Sequence, residues 1–376
     1  MALIYLVAGE ESGDALGARL MSALRARRPG VAFAGVGGAR MAEQGLVGLF
    51  PMRELALMGF LEVAPRIPRL RRRLAETVAD IAAKRPAVVV TIDSPGFALR
   101  LLRQVARLGI RRVHYVAPQV WAWRESRVRR YPGLWDQLLC LLPFEPSFFA
   151  KHELPARFVG HPVLESGADR GDAERFRDRH AIPAGEPVVT VMPGSRRTET
   201  GRLLPVLGAA LRLVAKRRSV VPVVPVAAAV EQAVQAGTAD WAVRPILVTE
   251  TQEKYDAFAA SAAAVTKSGT STLELAMAGV PMLVTYRVHP ISAALARRMI
   301  KVPHASLLNL LSGQEVVPEL LQEACTPERL AEALERLLEG SSEQLAAFGP
   351  VLDMLRPPGG LMPSDAAAEV MLELLD

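Results

Sequence analysis

The sequence predicts an α/β protein made of two Rossmann-like domains that face each other across a cleft. Its length of 376 residues exceeds the size at which a single hydrophobic core usually stops growing, so two domains are expected. Half of the residues are hydrophobic and only 5% are aromatic, which is typical of helices and parallel strands rather than of a β-sandwich. Short β-branched runs also alternate with Ala-, Leu- and Arg-rich helical patterns, in two successive series.

The first series predicts strands joined by helices, which implies right-handed crossovers and a parallel sheet. The predicted strands are 3–7, 32–36, 87–92, 112–116, 137–142 and 157–159. A polar stretch then interrupts the pattern, and we place the hinge between the domains near 165–175.

The second series predicts strands within 187–196, 220–227, 245–250, 262–270 and 281–286. We therefore expect one domain over 1–168, a second over 169–340, and a helical segment over 341–376 that packs back on the first domain or on a partner subunit. Ligands of α/β sheets bind at the carboxyl ends of the strands, so the cleft is the expected binding site.

The net charge, the two cysteines and the first residues indicate which partners, which metal or disulfide content and which compartment to expect. A net charge of +6 is compatible with phosphate-bearing small molecules, nucleic acid or an anionic membrane surface. Cys140 and Cys325 lie far apart in apolar settings, which indicates neither a disulfide framework nor a metal site. The first residues lack the basic region of a signal peptide, so a cytosolic protein is expected.

The stretch "AGEESGDALG" at 8–17 follows the first strand and resembles a phosphate loop only in its glycines. Glu10, Glu11 and Asp14 would repel a diphosphate at a helix N-terminus, and the glycine spacing is not that of a dinucleotide loop. The residues of this turn therefore indicate a ligand other than a diphosphate. Ser12 and Asp14 could alternatively cap the first helix.

Two turns in the second domain suit a nucleoside diphosphate. Gly194, Ser195 and Arg196 follow one strand, where small residues and a guanidinium can hold an anion. The other turn is followed by Glu274, a carboxylate placed to accept hydrogen bonds from a ribose diol. That turn contains Ser268, Gly269, Thr270, Ser271 and Thr272. Each turn alone could be an ordinary helix cap.

Blocks of sequence spread along the chain resemble one family. They include "AGEESGDALG", "IDSPGF", "HYVAPQVWAWR", "FVGHPV", "PGSRRTE", "SGTSTLE" and "KVPHASLLNLL", in order from about residue 5 to residue 335. Together they are similar to the lipid-A-disaccharide synthase family. The resemblance implies a metal-free, cofactor-free, inverting glycosyltransferase of GT-B type. Such enzymes join UDP-2,3-diacylglucosamine to 2,3-diacylglucosamine 1-phosphate, which gives a β(1→6) disaccharide and UDP.

The resemblance also suggests residues for the chemistry. The acceptor hydroxyl needs a base, for which Asp93, Glu11 and His114 are the candidates. Glu10, Ser12 and Asp14 are expected to bind the acceptor, and Asn309 to bind polar groups of the donor. This chain has Gly96 where some family members carry a second Asp, and Ala98 where they often carry Asn.

Acylated substrates require access to a bilayer, and residues 57–74 are the candidate contact. A helix is expected after Pro65 and Pro68, with apolar and basic residues on its faces. The predicted contacts are Phe60, Ile67, Leu70, Arg69, Arg72 and Arg73. We thus expect a peripheral protein at the inner face of the cytoplasmic membrane, without nucleic acid as a partner and with a homodimer as one option.

Two other functions stay open at this point. A different GT-B enzyme acting on a UDP-sugar, such as a UDP-N-acetylglucosamine transferase or 2-epimerase, would share the Glu274 turn. A homologue that binds lipid or nucleotide-sugar without turnover would be consistent with Gly96 and Ala98, and with Leu308 where the family usually has Pro.

Overall fold

The computed structural model of the chain describes residues 2–55, 60–289, 299 and 302–375, and for 60–66 the backbone alone. The chain divides into unit 1, Met1–Pro162 with Leu355–Asp376, and unit 2, Val163–Met354. Residues 163–168, which we predicted in the first domain, pack with unit 2. The predicted C-terminal segment divides after Met354, and its second part belongs to unit 1.

The described part of unit 1 contains one parallel sheet. Its strands are β1 (Leu3–Ala8), β2 (Ala32–Val36), β3 (Val47–Gly48), β4 (Val88–Ile92), β5 (Arg111–Tyr115), β6 (Gln137–Cys140) and β7 (Ala156–Phe158). Its helices are α1 (Glu11–Arg27), α2 (Ala39–Glu43), α3 (Phe60–Lys84), α4 (Pro95–Val105), α5 (Val120–Trp123), α6 (Glu145–Ala150) and the C-terminal helix Pro363–Glu373. The strand order β3-β2-β1-β4-β5-β6-β7 reverses between β1 and β4.

The glycines of the first helix serve its packing. A Cβ added to Gly17 would lie 2.6 Å from Met41 Sδ and 3.0 Å from Ile92 Cδ1, so α1 packs closely against side chains of α2 and β4 at this position. On its other side α1 contacts the C-terminal helix, and Arg27 forms an ion pair with Asp365 at 2.5 Å. Gly17 thus lies at a close contact of the helix, whereas a Cβ added to Gly13 would meet only ordinary contacts, the shortest at 3.4 Å from Ala8 Cβ.

The described part of unit 2 contains a second parallel sheet. Its strands are β8 (Val188–Met192), β9 (Val221–Pro225), β10 (Ile246–Val248), β11 (Ser261–Lys267), β12 (Met282–Tyr286) and β13 (Glu319–Leu321). Its helices are α7 (Ala173–Arg179), α8 (Arg197–Ala215), α9 (Glu231–Thr238), α10 (Thr251–Ala260), α11 (Ser271–Met277), α12 (Leu307–Ser312), α13 (Pro327–Glu339) and α14 (Ser342–Asp353). The order β10-β9-β8-β11-β12-β13 reverses between β8 and β11.

Both units therefore have Rossmann-like topology, as predicted, and every predicted strand is present. The runs of Val, Ile and Leu form strands because helices cover both faces of a parallel sheet, and β4 is buried along its whole length. In such sheets the loops on either side of the reversal form the binding crevice. These are the loops after β1 and β4 in unit 1, and after β8 and β11 in unit 2.

Candidate active site

The loops after β1 and β4 touch in unit 1. A Cβ added to Gly9 would lie 2.6 Å from Ser94 Oγ and 3.0 Å from Ser94 Cβ, so a larger residue there would require Ser94 to move. The residues that follow Gly9 are exposed, and Asp93 directly follows β4. The structure thus brings to one edge of the sheet most of the predicted acceptor and base residues, which are Glu10, Glu11, Ser12 and Asp93.

The conformation, hydrogen bonds and pKa of Asp93 are those expected of a carboxylate that acts as a base. Asp93 and Ser94 have φ values of 52° and 45°, a left-handed conformation that costs energy in residues other than glycine and often marks functional sites. The Asp93 N–H donates to the carbonyl of Tyr115 at 2.9 Å, and its Oδ1 accepts from the Ser94 N–H at 2.8 Å. Burial raises the pKa of Asp93 above the usual range, which strengthens it as a base.

His114 is placed differently from the other base candidates. Its side chain is fully buried, its ring stacks against Trp135 with centroids 5.8 Å apart, and its Nδ1 lies 2.8 Å from Thr91 Oγ1. Its Nε2 has no hydrogen-bond partner among the described residues. Burial lowers the pKa of His114 to about 4, so the ring is neutral near pH 7. This packing argues against His114 as the base, because no substrate hydroxyl reaches a fully buried ring.

Asp14 has a structural role, contrary to the prediction that it binds the acceptor. Its carboxylate is buried and accepts hydrogen bonds from three backbone N–H groups, at 2.7 Å from Gly38, 3.0 Å from Arg40 and 3.1 Å from Met41. It therefore caps the N-terminus of α2, not the helix on which it lies. Like Asp14, Ser12 does not cap α1, because this helix begins at Glu11 and Glu10 is its N-cap residue.

In unit 2, the turn after β8 carries the first predicted anion site. Gly194 has a φ of 107°, which side chains rarely adopt, and it leads through Ser195 into the first turn of α8. Arg196 is the N-cap residue of α8, and its side chain is 66% exposed. The turn thus presents an exposed guanidinium beside the amino end of a long helix, where backbone N–H groups attract anions.

Glu199 and Lys267, which were not predicted from the sequence, lie beside this turn, where Glu199 contacts both Arg196 and Lys267. Glu199, in the first turn of α8, is buried, and its Oε1 lies 3.2 Å from both Arg196 Nη1 and Lys267 Nζ. Lys267 ends β11 and thus reaches across the sheet reversal. The position of Lys267 directly before "SGT" was the available signal, but the pairing with Glu199 depends on the neighbouring strands.

Most hydroxyl groups of the turn after β11 form hydrogen bonds with other groups of the protein. Ser268 Oγ donates to the Ala305 carbonyl at 2.5 Å, and Thr272 Oγ1 donates to the Gly269 carbonyl at 2.8 Å. Ser271 Oγ lies 3.0 Å from Thr266 Oγ1. The side chain of Thr270 is exposed. These contacts fix the shape of the turn, and Thr270 is the hydroxyl most accessible to a ligand.

Glu274 lies on α11 behind this turn and is held by two partners. Lys254 Nζ lies 3.0 and 3.1 Å from its two carboxylate oxygens, and the Tyr255 hydroxyl donates to Oε1 at 3.1 Å. A carboxylate has more acceptor sites than these contacts use, so Glu274 can still accept hydrogen bonds from a diol. Lys254 could not be recognised from the sequence, because its role depends on the packing of α10 beside this turn.

Asn309 is fully engaged within unit 2, contrary to the prediction that it binds the donor. Its Nδ2 donates to the Val317 carbonyl and to Glu319 Oε1, both at 2.8 Å. Its Oδ1 accepts from the N–H groups of Val316 at 2.8 Å and Val317 at 2.9 Å. The side chain is fully buried, and these four bonds use the capacity of an amide. Asn309 therefore fastens α12 to the segment that enters β13.

Helix α3 differs in two respects from the predicted membrane segment. It begins at Phe60, so it contains Pro65 and Pro68 instead of starting after them. Leu70 packs against the core of unit 1, and Arg73 is bound to Glu54 at 2.7 Å and to Glu76 at 2.6 Å. Hydrogen bonds from Arg73 and then Arg69 lower the pKa of Glu54 to about 2. The exposed residues of the predicted set are Ile67, Arg69 and Arg72, and the side chain of Phe60 lies outside the described residues.

Comparison with known sequences connects this arrangement to one family. A sequence model of the lipid-A-disaccharide synthetase family matches residues 4–348. The chain is 57% identical to a lipid-A-disaccharide synthase of Gluconobacter oxydans, over 100% of this chain and 91% of the relative. It is 41% identical to a lipid-A-disaccharide synthase of Pseudomonas aeruginosa, over 99% of this chain and 98% of the relative.

Solved structures share the fold at low sequence identity. A UDP-GlcNAc 2-epimerase from Neisseria meningitidis bound to UDP-GlcNAc has a TM-score of 0.67 at 12% identity, over 100% of this chain and 99% of that chain. Acinetobacter baumannii MurG has a TM-score of 0.56 at 14% identity, over 99% of each chain. At these identities the likeness establishes the GT-B fold class alone.

Proposed function

The chain belongs to the lipid-A-disaccharide synthetase family, and from that membership we infer how its residues carry out the transfer of a sugar. Its activity is that of a lipid-A-disaccharide synthase, a glycosyltransferase that uses a UDP-sugar. The donor is UDP-2,3-diacylglucosamine and the acceptor is 2,3-diacylglucosamine 1-phosphate. The acceptor 6-hydroxyl oxygen bonds to the donor anomeric carbon while the bond from that carbon to the diphosphate breaks, and UDP departs.

Asp93 is the proposed general base for the acceptor hydroxyl. The observation that carries this proposal is its position at the reversal of the sheet in unit 1, in a strained conformation and with a raised pKa. Because the hydroxyl proton must leave as the new bond forms, a carboxylate with a raised pKa accepts it more readily. Glu10, Glu11 and Ser12 are the proposed contacts to acceptor hydroxyls, since they are exposed beside Asp93.

Unit 2 is the proposed donor-binding unit. Gly194, Ser195 and Arg196 would hold the diphosphate, with Gly269 and Thr270 from the second turn. Glu274 would accept hydrogen bonds from the ribose, oriented by Lys254. Charge develops on the diphosphate as the glycosidic bond breaks, so cationic and N–H groups there stabilise the transition state more than the bound substrate.

Association with a membrane surface is the proposed route to the acylated substrates. No helix in the described part of the chain has the length and the apolar composition needed to cross a bilayer. The exposed face of α3 carries Ile67, Arg69, Arg71 and Arg72, and it suits the interface of an anionic leaflet such as the inner face of the cytoplasmic membrane.

The test is UDP release from UDP-2,3-diacylglucosamine with and without 2,3-diacylglucosamine 1-phosphate. We expect release that depends on the acceptor and that falls by about a hundredfold or more in Asp93→Asn. Conversion of UDP-N-acetylglucosamine to its 2-epimer would instead indicate an epimerase. Binding of both substrates without any release of UDP would indicate a homologue that does not turn over.

A further inference from the structure

A lysine side chain lies between the two glycine turns at the reversal of the unit 2 sheet. A Cβ added to Gly194, in the turn after β8, would lie 3.4 Å from Lys267 Cδ. A Cβ added to Gly269, in the turn after β11, would lie 3.4 Å from Lys267 Cε and 3.8 Å from its Nζ. Lys267 therefore runs along both turns, and its ammonium group is close to the backbone of the second.

Glu199 holds this ammonium group in place. Lys267 Nζ lies 3.2 Å from Glu199 Oε1, the oxygen that also accepts from Arg196 Nη1 at 3.2 Å. Two cations thus share one carboxylate, which leaves the cluster with a net positive charge. Glu199 Oε2 is buried and has no hydrogen-bond partner among the described residues.

This arrangement differs from an ion pair that only stabilises the fold. In a purely structural cluster, we would expect the two cations to occupy both oxygens of the buried carboxylate. Here both cations lie on Oε1 and Oε2 has no partner among the described residues. The Lys267 side chain is still 19% exposed, at the edge where ligands of such sheets bind. The excess positive charge matches an anionic ligand.

We propose that Lys267 is a diphosphate-binding residue for the nucleotide donor and that Glu199 is its positioning residue. The inference rests on the proposed function, because it needs a donor that carries a diphosphate. Arg196 would contact the diphosphate from the turn after β8 and Lys267 from the end of β11. Lysine presents a compact charge that suits a single developing negative charge on the leaving oxygen.

The first test is calorimetric titration of UDP into the full chain and three variants. Lys267→Gln should lower UDP affinity by about ten- to hundredfold, the loss typical of a charge-assisted hydrogen bond. Lys267→Arg, which keeps the charge, should stay within a few fold of the parent. Lys216→Gln removes the same charge from an exposed site at the end of α8 and should bind UDP like the parent.

The second test uses the unaltered protein and does not depend on how a variant folds. Lysines are acylated with a water-soluble reagent, with and without saturating UDP, and the modified peptides are quantified by mass spectrometry. UDP should protect Lys267 and leave Lys216 unchanged. Normal UDP affinity in Lys267→Gln, or equal labelling of Lys267 with and without UDP, would overturn the inference. A parent protein that does not bind UDP would instead overturn the proposed function.

Discussion

Lys254 Nζ lies 3.0 and 3.1 Å from the two carboxylate oxygens of Glu274, so the lysine bridges both oxygens. The two residues come from neighbouring helices, α10 and α11, and both side chains are mostly buried. This geometry fixes the orientation of the carboxylate before any ligand arrives. A carboxylate that is already oriented loses less conformational entropy when it binds a ribose.

Glu274→Gln should therefore weaken UDP binding. The amide loses the negative charge and one of the two oxygens that accept from Lys254, and it offers fewer acceptor sites to a diol. We therefore expect a loss of about 1.5 to 3 kcal/mol, or roughly ten- to hundredfold in affinity. Calorimetric titration with UDP measures it. Glu332→Gln, on the exposed face of α13, is the matched control. Unchanged UDP affinity in a folded Glu274→Gln variant would show that Glu274 does not bind the donor.

Arg196→Ala should also weaken UDP binding by roughly ten- to hundredfold, because it removes a charge-assisted contact to the diphosphate. The guanidinium is 66% exposed, so its loss should leave the melting temperature close to that of the parent. Arg212→Ala is the control, since Arg212 is an exposed arginine on the same helix. If both variants bind UDP like the parent, Arg196 does not hold the phosphates.

Asp93→Asn should lower kcat by about a hundredfold or more and leave UDP affinity unchanged. A base works only when ionised, so activity should fall as the pH drops through the pKa of Asp93. Because burial raises that pKa, the acid limb of the pH profile should lie above the usual range of an aspartate. Steady-state rates across pH measure both effects, with Glu43→Gln as an exposed carboxyl-to-amide control.

The competing base candidates give different results. If Glu11 were the base, Glu11→Gln would lower kcat as Asp93→Asn is expected to do, while Asp93→Asn would turn over almost normally. His114→Ala should reduce stability first, because it removes a buried ring that packs on Trp135.

Asn309→Asp should destabilise the protein rather than abolish donor binding. The change preserves the shape of the side chain but removes two N–H donors, and it places a carboxylate against Glu319 and the Val317 carbonyl. We expect a loss of at least about 2 kcal/mol of stability, seen as a lower melting temperature. Gln314→Glu makes the same chemical change at an exposed position nearby. An Asn309→Asp variant with normal stability but no UDP binding would instead show that Asn309 binds the donor.

The double variant Arg71→Ser/Arg72→Ser should weaken binding to anionic vesicles. Each cation near such a surface contributes about 1 kcal/mol, so we expect a loss of roughly thirtyfold at low salt and a shallower salt dependence. Ile67→Ser should reduce the part of the binding that resists salt. Co-sedimentation with vesicles measures these effects.

The matched control for this surface is Arg107→Ser/Arg111→Ser. Arg111 begins β5, at the edge of the sheet opposite the candidate site, and both arginines are exposed. Equal loss of vesicle binding in the two double variants would mean that net charge alone drives association. In that case α3 would be an ordinary surface helix.

Strands and turns could be predicted from the sequence because their signals are local. The run "AVVVTI" predicts the buried strand β4 by composition, and Asp93 directly follows it. The strands β3, with the sequence VG, and β13, with the sequence ELL, contain no run of β-branched residues, so they were missed.

The roles of single polar residues depended on contacts between distant segments. Asp14 and Asn309 both lie in motifs that suggested ligand binding, yet each satisfies backbone groups of another segment. Nothing in the local sequence around Asp14 indicates that residues 38–41 approach it. Lys267 was missed for the same reason, since its partner Glu199 follows a different strand.

The most direct test of the account is the structure of the reaction product. The full chain is incubated with UDP-2,3-diacylglucosamine and 2,3-diacylglucosamine 1-phosphate, and the lipid product is characterised by mass spectrometry and by NMR of its glycosidic linkage. We predict a single disaccharide 1-phosphate with a β(1→6) bond, formed in step with UDP release. UDP release without a disaccharide, or a product with an α linkage, would contradict the proposed inverting transfer.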